Sequence, residues 1–117
     1  MPDDKTFSAQ IREKFITRLK FAEQNITINK IIVVTHVPCL EVLITRKPHD
    51  HNWSRGTPFF GNLSSEADIL NCTKVTHVVS AHTHIAIDTI IKKYNRKIRC
   101  INIGGDYSRP ATVILEL

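Results

Sequence analysis

Six histidines are the residues of this sequence best suited to chemistry: His36, His49, His51, His77, His82 and His84. Four of them form two His-x-His pairs, His49-Asp50-His51 and His82-Thr83-His84. Random placement of six histidines in 117 residues gives only about 0.3 such pairs. Neutral imidazole is the commonest side-chain metal ligand and takes zinc, iron, manganese, nickel or copper alike. In an extended segment, positions i and i+2 point to one side, so His82 and His84 can face one cavity. They can hold one ion, or one each of a pair about 3.5–4 Å apart. His36 follows Thr35 at the end of a similar apolar run, and Thr35 and Thr83 are small enough for metal and substrate to approach. His77 lies inside its apolar run and reads as a hydrogen-bonded core histidine, whereas His49 and His51 read as exposed turn residues.

Two buried-looking strands must position these rings. Ile31-Ile32-Val33-Val34-Thr35 precedes His36, and Val75 to Ala81 precedes His82; both are short and β-branched, as strands buried in a sheet are. Ligands of α/β folds bind where such strands give out. Ahead of them, Asp3–Asn25 reads as an amphipathic helix. Phe7, Ile11, Phe15 and Leu19 recur every four residues, Asp3 and Asp4 suit its start, and Asn25 can close its end. The segment from His36 to about Leu63 holds Pro38, Pro48, Pro58, Gly56 and Gly61 and reads as a long functional loop, packed through Trp53, Phe59 and Phe60. Ser64–Asn71 reads as a brief helix capped by Ser64 or Ser65. Strands are expected at Ile85–Ile91 and Ile98–Ile103, joined by a turn over Tyr94-Asn95-Arg96-Lys97, and a last one at Ala111–Leu117. The sum is one α/β domain over 1–117, with about five strands.

Composition narrows the classes. A hydrophobic fraction of 42% with 4 Gly and 5 Pro describes an ordinary globular chain. No apolar run spans a bilayer and Met1-Pro2-Asp3-Asp4-Lys5 is no signal sequence, so a cytoplasmic protein without a membrane partner is expected. Cys39, Cys72 and Cys100 are odd in number and widely spaced, which predicts reduced, buried thiols. The net charge of +5 favours an anionic partner. Its basic residues are scattered, Arg12, Lys14, Arg18 and Lys20 on a helix and Lys92 to Arg99 around a turn, with no interleaved aromatics; this argues against nucleic acid and for a solvated surface.

From Ile31 onward the chain resembles the C-terminal half of a calcineurin-like metallophosphoesterase. The resemblance rests on Val33-Val34-Thr35-His36-Val37-Pro38, then Trp53 with Pro58-Phe59-Phe60, then Ala81-His82-Thr83-His84, then Gly104-Gly105-Asp106-Tyr107-Ser108-Arg109-Pro110, in that order. It implies part of an α/β/β/α sandwich and a phosphoester hydrolase whose water is activated at a metal centre. His36, His82 and His84 match the family's ligand positions, with Ala81 where the motif has Gly. The implied cofactors are divalent ions such as manganese, iron or zinc, and the implied substrate is a phosphorylated small molecule or a nucleotide. Trp53, Arg55 and Arg109 are the expected substrate contacts.

The family's Asp-x-His, Gly-Asp-x-x-Asp and Gly-Asn-His-Asp/Glu motifs do not occur in this sequence. They supply the acidic ligands and the histidine that assists the leaving group, so no catalytic residue is assigned here. Three neutral imidazoles cannot offset the repulsion of two adjacent divalent ions, and one ion with an open position is the expected occupancy. The chain thus reads as a fragment or split half, completed by a partner chain or a second copy. The alternative is a non-catalytic metal-binding or interaction domain.

Overall fold

The computed structural model describes residues 4–44, 63–105 and 108–117. Its elements follow the periodicities of the sequence: helix α1 (Asp4–Gln24), strand β1 (Ile31–Val34), a 3-10 turn (Glu41–Leu43), helix α2 (Glu66–Asn71), and strands β2 (Val75–Ser80), β3 (Ile87–Lys93) and β4 (Arg96–Asn102). The four strands form one sheet in the order β1-β2-β4-β3. β1, β2 and β4 run parallel, and β3 lies antiparallel on the margin. This is an α/β fold with a mixed sheet.

The hydrophobic stripe of α1 is covered only in its second half. Leu19 is buried and Phe15 packs on the core, whereas Phe7 and Ile11 are 56% and 52% exposed. The earlier part overhangs a cavity of about 350 Å³ bounded by β1's exit and the start of α2. Asn25 closes the helix as expected: its side-chain oxygen accepts from the backbone N–H of Thr27 at 2.9 Å and from the Thr27 hydroxyl at 2.6 Å. Ser65 occupies the N-cap position of α2 but makes no capping hydrogen bond with its side chain.

Core packing explains a register change. Ile31 lies opposite Val75 and Ile32 opposite His77, so Thr76 is an extra residue in β2. Val75 and Val78, three apart, therefore both reach the cluster around Leu40, Leu43, Ile69 and Ile98. The three cysteines are free and buried in it or beside it. Burial raises the Cys39 thiol pKa, and raises those of Cys72 and Cys100 to about 11.

Three expectations need correction. Four strands form among the described residues, not five: Ala111–Leu117 pairs with nothing as a strand and leaves Ile114 87% exposed. Apolar β-formers make a strand only where a neighbouring backbone supplies hydrogen bonds. The next is the hairpin turn, which is only Tyr94-Asn95, with Tyr94 at φ 56°, and β3 starts at Ile87. The third is Arg96, which belongs to β4 and is half-buried rather than part of a solvated basic cluster.

The rim where the parallel strands begin shows what holds the layers together. The Arg96 guanidinium donates to the carbonyls of Cys72 at 2.8 Å and of Leu70, the last carbonyls of α2 and its exit. The Glu23 carboxylate, on α1, accepts from the Cys72 thiol at 2.8 Å, the Thr73 N–H at 3.1 Å, the Thr73 hydroxyl and the Lys74 N–H at 3.1 Å. Partial burial raises the Glu23 pKa, but these donors outweigh it and bring the pKa down to about 2. Among the described residues no helix is long and apolar enough to cross a membrane.

Candidate functional site at the carboxyl rim of the sheet

At the opposite rim the chain leaves the sheet twice, side by side. The Thr35 N–H donates to Val79 O at 2.9 Å, one residue beyond β1, and the Thr35 hydroxyl turns back to Val37 O at 2.7 Å. Buried Pro38 then leads the chain away. Next to it, the Ala81 N–H donates to His36 O at 3.0 Å, which ties the exit of β2 to the exit of β1.

The geometry after β2 differs from the extended segment expected. The Thr83 N–H bonds back to Ala81 O at 2.8 Å, closing a three-residue turn around His82, whose φ is 70°. His84 also has a positive φ, of 61°. Left-handed backbone at a non-glycine residue is uncommon and costs about 1–3 kcal/mol, and such strain gathers at functional sites. His82 and His84 therefore reach one cavity through one tight turn and a second left-handed residue, not through the alternation of a strand.

Two of the three expected ligands meet. His82 Nδ1 lies 3.1 Å from His36 Nε2, with the ring centroids 4.8 Å apart and the planes at 65°. One of these nitrogens donates and the other accepts. His84 lines the same open cavity, of about 460 Å³, together with Ile103, Gly105 and Pro110. Among the described residues no acidic side chain lines the cavity, and no three His, Cys, Asp or Glu side chains are gathered as a metal site.

The donor set can be tested against an ion. Two imidazoles on one zinc at about 2.1 Å stand roughly 3.0–3.4 Å apart, depending on the angle between them. The observed 3.1 Å falls within that span. Neutral nitrogen donors without a carboxylate suit one late first-row ion and do not suit a charged two-ion centre.

A polar network beneath the turn was not anticipated. Asn102, the last residue of β4 and 1% exposed, donates to Thr83 Oγ1 at 2.8 Å and to Ile85 O at 2.7 Å, and its Oδ1 accepts from Ser80 Oγ at 2.9 Å. The signal available in the sequence was a polar residue on the inward side of an alternating strand. Gly104 is needed for a close approach, since a Cβ there would stand 2.6 Å from the Ala86 backbone nitrogen.

The remaining candidates divide. His77 is half-buried in β2 with Nδ1 2.8 Å from the Thr76 hydroxyl, hydrogen-bonded as expected but outside the core cluster where it was expected to lie. Arg109 is exposed and does not line the cavity, although its neighbour Pro110 does. Trp53 and Arg55, like His49 and His51, lie outside the described residues. Comparison with family models, with curated proteins and with solved structures finds no match to this chain.

Proposed function

We propose that the chain carries the histidine side of the metal centre of a phosphoester hydrolase of the calcineurin-like kind, its sheet forming part of an α/β/β/α sandwich. The observation that carries this reading is the 3.1 Å approach of His36 Nε2 and His82 Nδ1 at the ends of adjacent parallel strands. Three details add support: His84 lines the same cavity, the turn holding the pair is strained, and the ring separation suits one shared ion.

His36 and His82 act as neutral ligands, each presenting an unprotonated nitrogen once the proton in their mutual hydrogen bond has moved to the far side of its ring. His84 faces the remaining space. A divalent ion held there, zinc or iron sooner than manganese given the imidazole donors, would supply Lewis acidity toward phosphoryl oxygens. The net charge of +5 favours the approach of a phosphorylated small molecule or nucleotide.

The imidazole donors that the described residues bring to the cavity favour a second reading, in which the chain binds one ion and acts with a partner chain that brings carboxylates. One experiment separates the two. Metal content is measured after loading with zinc or manganese, alongside hydrolysis of bis(p-nitrophenyl) phosphate, for the protein and for His82→Ala. Stoichiometric metal with turnover, both lost in the variant, supports the hydrolase. Metal without turnover supports the binding domain, and no metal in the unaltered protein defeats both.

A further inference from the structure

The turn that presents His82 is anchored by a residue more than a dozen positions away. We infer that Asn102 is a positioning residue for the imidazole pair, locking the His82-Thr83-His84 turn so that the His82 ring meets that of His36. Each polar atom of its amide is committed. Oδ1 accepts from Ser80, its register partner across β2 and β4, which fixes the side chain to the frame of the sheet. Nδ2 spends both hydrogens on the turn, one on Thr83 Oγ1 and one on Ile85 O.

Thr83 is the residue between the two left-handed histidines and is itself 8% exposed, so water competes poorly for its hydroxyl. A strained backbone persists only where its surroundings over-determine it, and these two bonds hold both flanks of His84. Only an amide of this length supplies one acceptor toward Ser80 and two donors toward the turn. Aspartate would keep the first bond and set an acceptor against the Ile85 carbonyl. The network is complete, since no buried side-chain polar atom among the described residues lacks a partner. Asn102 itself does not line the cavity, so its effect passes through the histidines.

The test uses the metal-free full chain at one fixed pH. Nuclear Overhauser contacts between the ring protons of His36 and His82 report the pairing, and circular dichroism reports folding. Asn102→Asp and the near-isosteric Thr83→Val are expected to lose the ring contact while staying folded. Val78→Ala, a core truncation on β2 that removes none of the network's polar atoms, is expected to lower the melting temperature and keep the contact. Zinc affinity, measured by chelator competition, is expected to fall roughly tenfold to a hundredfold in the first two variants, as for other outer-shell partners, and to hold in the third. Ring contact that survives in folded Thr83→Val and Asn102→Asp overturns the inference; if the aspartate variant does not fold, Thr83→Val decides alone. Only the affinity measurement rests on the metal reading: an unaltered protein that binds no zinc defeats that reading and leaves the ring contact to decide on Asn102.

Discussion

The two rims of the parallel sheet handle polar side chains in opposite ways. Where the strands begin, Glu23 and Arg96 spend their hydrogen bonds on the backbone and side chains around the α2–β2 connection. Where the strands end, three imidazoles border an open cavity, and the amide work is done underneath them by Asn102. Charge committed to carbonyls and amides of the same chain stabilises a fold. Ring nitrogens standing at a cavity wall on strained backbone are arranged for something that comes from outside.

That contrast breaks if substitutions at the two rims affect the same property. The largest effect is expected from His82→Gly: metal affinity falls more than about a hundredfold, beyond what outer-shell changes cause. The melting temperature does not fall, because glycine accepts a φ of 70° without strain. Calorimetry and metal titration on one sample check both halves. Next comes Arg96→Ala, which removes the side-chain donor from the Leu70 carbonyl and one of the two donors from the Cys72 carbonyl, and is expected to cost about 2 kcal/mol of stability in urea unfolding. Metal affinity of the folded variant should match that of the parent.

Glu23→Gln is expected to cost about 2 kcal/mol near neutral pH. Its pH dependence carries a sign. The folded-state pKa of about 2 lies below the ordinary 4.5, so the carboxylate's contribution is complete above the higher value and disappears as pH falls toward the lower one. Melting curves of parent and variant should therefore differ most above about pH 5 and converge near pH 2. Two small effects close the series. The native thiols of Cys39, Cys72 and Cys100 should resist iodoacetamide at pH 8, since burial has raised their pKa values, and should react once urea opens the fold. Asp88→Asn, which breaks an exposed ion pair with Arg99 at 2.7 Å, should leave the melting temperature unchanged.

Local regularity made much of this molecule readable. The four-residue spacing of α1 and the β-branched runs of β1 and β2 each act within a few neighbours, and each element formed close to where it was expected; α2 also formed, though without the serine cap expected for it. The histidines at the two strand exits were readable too, but the turn that joins them was not. Its left-handed angles depend on Asn102, 19 residues from Thr83, and nothing local to His82 announces them. Glu23 was silent for the same reason, with partners 49 to 51 residues onward. Ala111–Leu117 misled in the other direction, because alternation says nothing about whether an edge is available to pair with.

One consequence of the strand order concerns time. β3 and β4 are joined through Tyr94 and Asn95 alone, while β1 and β2 are brought together across the whole stretch between Val34 and Val75. Closing a short hairpin takes about microseconds, and long-range parallel pairing is slower. During refolding, amides of β3 and β4 should gain protection in pulsed hydrogen exchange before those of β1. The imidazoles at 36 and 82 sit on either side of that late seam, so the ring pair on which the proposed ion site depends should be the last feature the refolding chain acquires.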